Sequence, residues 1–228
     1  MLAAGKVLRH RVAMRDGTEL ATDVYLPAGP GPHPTLLERT PYGKSASNRA
    51  DRTAADATPR SRPDVARQFA AAGYAYVLQD CRGRFESGGT FTKYLNEGPD
   101  GEDALAWVLA QPWCNGRVGT LGLSYGAHVQ AALACGNPPG LGAMFLDSGG
   151  FSSAYHGGIR QGGAFELKQL TWSYKHALLS PATARDPARR RALEAQDLRS
   201  WMGRRWAPGH SPLAAAPEYE GYVLEQWG

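Results

Sequence analysis

The fold is decided by residues 117–126, which read Arg-Val-Gly-Thr-Leu-Gly-Leu-Ser-Tyr-Gly. The stretch Arg117 to Leu123 predicts a β-strand, and the stretch Tyr125 to Cys135 predicts the helix that follows it. Between them, Gly122, Ser124 and Gly126 fit the pattern G-x-S-x-G, in which a sharp strand-to-helix turn holds a serine at the head of a sheet. Both glycines relieve contacts that side chains would make in such a turn. The pattern therefore indicates that Ser124 is a nucleophile.

The same turn predicts a hydrogen-bond donor beside the serine. The backbone N–H of Tyr125 lies in the first turn of the predicted helix, where it has no carbonyl partner within the helix. The helix dipole also favours negative charge at this place. The amide is therefore expected to form one half of an oxyanion hole. A chance match in a loop is the alternative, and the strand and helix patterns on either side argue against it.

Further regions of the chain predict β-strands. Val7–Met14 and Glu19–Leu26 flank the turn signal Asp16-Gly17, and they predict an antiparallel hairpin. Short apolar runs predict the remaining strands, of which the last two are expected to be buried: Thr35–Leu37, Tyr74–Leu78 and Leu141–Leu146.

Helical spacing of apolar residues predicts two helices between these strands. One is Arg62–Ala72, closed by Gly73, and the other is Glu102–Ala110, with Asp100 as its N-cap. Strands that alternate with helices after an antiparallel start predict an α/β fold with a mostly parallel sheet.

The alternation stops after Asp147. A glycine-rich stretch leads to two predicted helices, Glu166–Leu179 and a second one that begins at Asp186 and Pro187 and runs to about Ser200. These helices fit a cap better than crossovers that flank a sheet. We therefore expect an α/β domain at residues 1–150 and a partial helical cap region at residues 151–228.

Composition argues against several classes of function. The 228 residues are 43% hydrophobic and 20% charged, as in ordinary globular proteins. The net charge of +4 is modest and the basic residues are spread along the chain, so nucleic-acid binding is not expected. Cys81, Cys114 and Cys135 lack the spacing of zinc ligands and are odd in number, which argues against a zinc site and a disulfide framework. Without a leader or a long apolar stretch, we expect a cytoplasmic protein, not bound to a membrane, with no metal or cofactor.

Several segments of the chain, in this order, resemble one family of enzymes. They are Met14-Arg15-Asp16-Gly17 with the strand to Tyr25-Leu26-Pro27, Arg39-Thr40-Pro41-Tyr42, Gln79-Asp80-Cys81-Arg82-Gly83 through Ser87-Gly88, Gln111-Pro112-Trp113 with Asn115-Gly116-Arg117-Val118-Gly119, and Gly122 to Gly126. The set is similar to the N-terminal portion of the X-prolyl dipeptidyl peptidase and cocaine esterase (CocE/NonD) family of α/β-hydrolases. This resemblance implies the α/β-hydrolase fold and a serine hydrolase of ester or amide bonds.

The resemblance also implies roles for three side chains. The phenol of Tyr42 would be the second oxyanion donor, beside the N–H of Tyr125, since phenols stay protonated at neutral pH and donate to an alkoxide. In the family the cap helices line the substrate pocket, so Phe151 and Trp172 are candidates for substrate binding. Core packing is an equal alternative for both aromatic residues.

The loop after the strand at Tyr74–Leu78 is rich in glycine and arginine. The segment from Arg82 to Gly89 could suggest a phosphate site, but it lacks the G-K-[ST] signature and is a weak signal. We expect a structural loop beside the site, which Asp80 and Arg82 fix by pairing rather than by a direct role in catalysis.

A serine nucleophile needs a histidine as general base and a carboxylate that orients it, and in α/β-hydrolases both follow the serine along the chain. The resemblance places both beyond residue 228 and so predicts a truncated chain. The histidines that follow Ser124 are expected to be structural or to lie at the surface: His128, His156, His176 and His210. A triad of Ser124, Asp147 and a cap histidine is the less economical alternative.

Together these patterns predict a serine hydrolase that forms an acyl-enzyme on Ser124 from a small ester, an amide or a short peptide. The base contributes roughly 10²–10⁴-fold to the rate, so the chain alone is expected to turn over little. One alternative is a non-catalytic α/β-hydrolase-like binding module that keeps the turn for structural reasons. The other is a fragment that needs a partner chain for its acid and histidine.

Overall fold

A computed structural model describes residues 5–48, 57–149, 160–161 and 164–227. The chain divides into two compact units. The first comprises Met1–Gly89 and Tyr94–Gly150, and the second comprises Thr90–Lys93 and Phe151–Gly228.

The first unit is built around a β-sheet. Its strands are β1 (Val7–Ala13), β2 (Glu19–Tyr25), β3 (His33–Thr40), β4 (Ser47–Asn48), β5 (Arg60–Ser61), β6 (Ala75–Asp80), β7 (Cys114–Leu123) and β8 (Leu141–Asp147). Six of them form the main sheet, in the order β1-β2-β6-β3-β7-β8. The strands β1, β2 and β6 pair antiparallel, whereas β6, β3, β7 and β8 pair parallel. A short antiparallel pair, β4 with β5, lies outside this sheet.

Three helices complete this unit, and the predicted α/β fold is confirmed. They are α1 (Arg62–Ala71), α2 (Glu97–Leu109) and α3 (Tyr125–Cys135). The predicted hairpin and the predicted helix α1 are also present. Gly17 and Gly73 take the left-handed conformation, with φ of 79° and 94°, that the turn and the end of the helix require.

One helix starts earlier than its sequence pattern predicts. The helix α2 begins at Glu97, so Asp100 lies inside its first turn and is not the N-cap. The predicted cap is therefore wrong. The carboxylate of Asp100 instead forms an ion pair with Arg82, at 2.6 Å, and this tertiary contact holds the residue in place of a capping bond.

The core lies on both faces of the sheet, because side chains of β6 alternate between two clusters. Val77 packs on one face with residues of α2 and α3, including Leu105 and Leu133. Tyr76 and Leu78 pack on the other face with alanines of α1. The sheet is therefore covered by helices on both sides around its central strands.

The strand β8 is the exception to this burial. Its side chains were expected to be buried, yet Met144, Phe145 and Leu146 are 42%, 68% and 45% exposed. The expectation is wrong because β8 is the outermost strand of the described sheet and pairs only with β7. An apolar run therefore marks the strand correctly but does not decide its burial.

The second unit is mainly helical among its described residues. Its helices are α4 (Leu167–Leu178), α5 (Pro181–Arg185), α6 (Pro187–Glu194), a 3₁₀ turn (Leu198–Trp201) and α7 (Pro217–Trp227), with a two-stranded pair of β9 (Arg160–Gln161) and β10 (Ala164–Phe165). The side chain of Asp186 accepts hydrogen bonds from the amides of Ala188 and Arg189, at 2.9 and 3.0 Å, so it is an N-cap as expected. The helix that it opens ends at Glu194, earlier than predicted. In the described ranges, every helix falls short of the length and apolar character needed to cross a bilayer.

The turn from β7 to α3 places its two glycines in different surroundings. A Cβ atom on Gly122 would lie 2.8–3.0 Å from the backbone of Gly126, which is closer than real Cβ contacts. A Cβ atom on Gly126 would have its nearest neighbour, the carbonyl oxygen of Arg39, at 3.7 Å, an ordinary contact. The turn therefore needs glycine before the serine, whereas it has room for a methyl group after it.

We expect Gly122→Ala to lower the free energy of unfolding by about 1–3 kcal/mol, because the backbone of the turn must move apart. Gly126→Ala should leave it unchanged or raise it by up to about 1 kcal/mol, since alanine favours helix over glycine. Urea denaturation of both variants measures the difference. Equal destabilisation by the two substitutions would contradict this reading of the turn.

Candidate active site

Ser124 occupies a strained backbone conformation at the head of the sheet. Its φ and ψ are 58° and −113°, and a residue with a side chain pays on the order of 1–3 kcal/mol for such a conformation. Its N–H donates to the carbonyl of Asp147 at the end of β8, at 2.8 Å, and its carbonyl accepts from the N–H of Ala127 in α3, at 3.0 Å. The side chain is exposed. A strand and a helix thus hold the serine outward from the turn.

The three residues predicted for catalysis lie together. The phenol O–H of Tyr42 donates to Oγ of Ser124, at 3.2 Å. The backbone N–H of Tyr125 donates to the phenol oxygen of Tyr42, at 3.3 Å. Both donors therefore border the same space beside the serine oxygen. An oxygen atom of a bound substrate that entered this space would have the phenol and the amide as partners.

The loop that carries Tyr42 follows β3 and is fixed along its backbone. The N–H of Tyr42 donates to the hydroxyl of Thr40, at 3.1 Å. The carbonyl of Pro41 accepts from Nε of Arg84, at 3.0 Å, and this arginine is fully buried. A phenol on a backbone held in this way is preorganised as a donor.

The end of β6 and the loop that follows it are held in place by hydrogen bonds and ion pairs. Asp80 accepts hydrogen bonds from the amides of Lys44, at 2.7 Å, and Glu86, at 3.3 Å. Arg82 forms ion pairs with Asp16 in the hairpin turn and Asp100 in α2, each at 2.6 Å. Asp80 and Arg82 therefore do fix the loop, but each does so with other partners, and the expected pairing between them is corrected.

A group of buried charges under the turn was not predicted from the sequence. Glu97, in the first turn of α2, is 3% exposed and accepts a hydrogen bond from the phenol of Tyr125, at 3.0 Å. Its other oxygen lies 3.3 Å from the guanidinium of Arg39. The available signal was Arg39, two residues after the predicted strand Thr35–Leu37, because an arginine that becomes buried needs a charged or polar partner.

In the described residues of the first unit, 5–48, 57–89 and 94–149, the hydrogen-bond partner of Ser124 Oγ is Tyr42. No histidine in these ranges forms a hydrogen bond with that oxygen, so these residues do not supply the general base. His128 lies in α3 with its ring against the rings of Tyr94 and Tyr125. The carboxylate of Asp147 accepts from the hydroxyl of Ser148, at 2.7 Å. These contacts do not support a triad built from Asp147.

The residues predicted to bind substrate from the cap, and the cap histidines, belong to the second unit. Phe151 and His156 fall outside the described residues. The ring of Trp172 stacks on His176 at 3.8 Å between ring centres, and the ammonium of Lys93 lies 4.0 Å from its centre. The described contacts of Trp172 are thus packing contacts inside its own unit, and its role in substrate binding stays a prediction.

The burial of Asp80 should make the free energy of unfolding depend on pH. Burial raises the pKa of Asp80 from 3.8 to about 6, against the opposing hydrogen bonds from Lys44 and Glu86. Because the folded chain binds this proton more tightly than the unfolded chain, Asp80 makes the free energy of unfolding fall as the pH rises through this range. Asp80→Asn should lack this term, which is on the order of 2–3 kcal/mol. Denaturation of both chains between pH 4 and 7 measures it, and parallel pH profiles would contradict it.

Comparison with known proteins shows which family the chain resembles. The sequence profile described as X-Pro dipeptidyl-peptidase (S15 family) matches residues 16–227. A cocaine esterase of Rhodococcus sp. (strain MB1 Bresler) is 40% identical over 134 residues, which cover 58% of this chain and 22% of the esterase. The chain therefore spans about a fifth of the length of this relative.

Solved structures show the same fold. An α-amino acid ester hydrolase is 27% identical, with a TM-score of 0.58 over 75% of this chain and 30% of that one. An aminopeptidase from the marine sediment archaeon Thaumarchaeota archaeon is 25% identical, with a TM-score of 0.60 over 77% of this chain and 30% of that one. With the profile match covering nearly the whole sequence, the chain belongs to the X-Pro dipeptidyl-peptidase (S15) family and has the α/β-hydrolase fold.

Proposed function

We propose that this chain carries the nucleophile and the oxyanion hole of a serine hydrolase that cleaves ester or amide bonds in small molecules or short peptides. The observation that supports this most is the meeting of two donors, the phenol of Tyr42 and the N–H of Tyr125, beside Oγ of Ser124. An exposed serine with two such neighbours suits acyl transfer.

In this proposal Oγ of Ser124 adds to the carbonyl carbon of the substrate and gives its proton to a general base. The carbonyl oxygen becomes an alkoxide that accepts from Tyr42 and Tyr125. The carbon–oxygen or carbon–nitrogen bond then breaks, and the alcohol or amine leaves with the proton. Water adds to the acyl-enzyme, releases the acid and restores the serine hydroxyl.

The relatives support the same class of substrate. Those that the chain resembles are named as an esterase, an ester hydrolase and an aminopeptidase, and all three names denote cleavage of an acyl bond. We assign residues 1–150 to the catalytic α/β domain and residues 151–228 to a helical cap, in which Phe151 and Trp172 contact substrate. The acid and the histidine are expected from residues of the whole enzyme outside this chain.

A fluorophosphonate probe tests the assignment of Ser124, because it reacts with an activated serine whatever the substrate is. We expect slow labelling of the folded chain by one adduct, seen by intact mass and absent in Ser124→Ala. Added imidazole should speed the reaction, since a missing base contributes roughly 10²–10⁴-fold.

Each other outcome has a defined meaning. An adduct that persists in Ser124→Ala would contradict the proposal. Fast labelling without imidazole would show a base inside this chain and would revive Asp147 with a cap histidine. A folded chain that stays unlabelled even with imidazole would favour the non-catalytic binding module.

Removal of one oxyanion donor should slow the reaction while leaving the fold intact. We expect Tyr42→Phe to lower the rate constant of labelling, measured with imidazole, by about 10²–10³-fold. Tyr74→Phe is the matched control, because Tyr74 is 39% exposed and lies between α1 and β6, outside the site. Equal rates for the two variants would show that the phenol of Tyr42 does not act as a donor.

A further inference from the structure

The side chain of Tyr125 is held at its far end, deep below the turn. Its phenol O–H donates to Oε1 of Glu97, at 3.0 Å, and its phenol oxygen accepts from the N–H of Tyr94, at 2.8 Å. The rings of Tyr94 and Tyr125 stack at 5.0 Å between centres, with 10° between their planes. Only 4% of Tyr125 is exposed. The residue that follows the serine is therefore fixed at both its backbone and its tip.

Glu97 is fixed in its turn by Arg39, at the end of β3. The guanidinium lies 3.3 Å from Oε2 of Glu97 and also donates to the backbone carbonyl of Glu97, at 2.9 Å. Nε of Arg39 donates to the side chain of Gln79, at 2.8 Å. Burial raises the pKa of Glu97, while Arg39 and the phenol of Tyr125 act in the opposite direction. The carboxylate thus links a rigid strand to the first residue of α3.

This link matters because Ser124 is strained. A residue at φ of 58° stays there only when its surroundings determine its position. The N–H of Tyr125 belongs to the peptide group that follows the serine, so any rotation that relaxes Ser124 also turns this donor away. Anchoring the phenol resists that rotation through the aromatic ring.

We propose that Glu97 is a positioning residue of the oxyanion hole, which fixes the direction of the Tyr125 N–H by holding the Tyr125 phenol. The inference rests on the proposed function for its catalytic meaning. Two donors beside the serine are then not sufficient for an oxyanion hole. The buried carboxylate of Glu97, below the turn, must also hold the Tyr125 amide in the direction of Ser124.

A purely stabilising role would have different consequences, and the chain offers a matched comparison. Tyr76 donates to Oε2 of Glu38, at 2.8 Å, and Oε1 of Glu38 pairs with Nε of Arg62, also at 2.8 Å. Tyr76 is fully buried. This is the same arrangement of arginine, glutamate and tyrosine in the same unit. Tyr76 lies in β6, however, and its backbone N–H is not next to Ser124.

The experiment compares Tyr125→Phe with Tyr76→Phe in the full chain. Each variant removes one buried phenol oxygen and should lower the urea midpoint to a similar extent. Tyr125→Phe should also slow fluorophosphonate labelling, measured with imidazole, by tenfold or more. It should raise the hydrogen-exchange rate of amide 125, read by NMR of the ¹⁵N-labelled chain, relative to the other amides of α3. Tyr76→Phe should change both quantities by less than twofold.

Glu97→Gln provides a second route if Tyr125→Phe does not fold. It keeps an acceptor for the phenol but removes the ion pair with Arg39, so it should shift labelling and exchange in the same direction, by less. Equal effects of Tyr125→Phe and Tyr76→Phe on labelling and on amide 125 would overturn the inference. If the wild-type chain is never labelled, the proposed function fails by itself, and the exchange of amide 125 still decides whether Glu97 holds the turn.

Discussion

Ser124 stands in a backbone conformation that a serine seldom adopts, with φ of 58°, and the arrangement of the site depends on keeping it there. Hydrogen bonds reach its peptide groups from Asp147 in β8 and from Ala127 in α3. Gly122 allows the backbone on the two sides of the turn to approach, since a Cβ atom there would lie 2.8 Å from the carbonyl oxygen of Gly126. The serine is exposed because the turn on which it lies is sharp.

Two buried arginines, one near the end of β3 and one in the loop after β6, hold the residues around this turn in place. Arg39 reaches Glu97 and so the phenol of Tyr125, whereas Arg84 reaches the carbonyl before Tyr42. Each of the two proposed oxyanion donors is therefore supported by an arginine that is almost fully buried. Such charges cost free energy to desolvate, and they persist where partners satisfy them. Here they hold the two donors beside one oxygen atom.

Local patterns predicted the hairpin at Asp16-Gly17, the helix closed by Gly73 and the turn at Ser124, because neighbours in sequence determine these features. The exposure of β8 was not predictable from its apolar run, since it depends on which strand pairs with it. The contact between Glu97 and Arg39 was not predictable for a similar reason, because the two residues lie 58 positions apart in the sequence. The position of Asp100 was misjudged since its ion pair with Arg82 is a tertiary contact.

In the proposed site, Tyr42 and Tyr125 share one oxygen position at Ser124. A crystal structure of the chain soaked with an arylboronic acid tests this claim, because boron adds to a serine oxygen as a tetrahedral anion. We expect a bond from boron to Oγ of Ser124 and one boronate oxygen about 3 Å from both the phenol of Tyr42 and the N–H of Tyr125. A relaxed Ser124 with negative φ, or a boronate oxygen turned away from both donors, would contradict the claim.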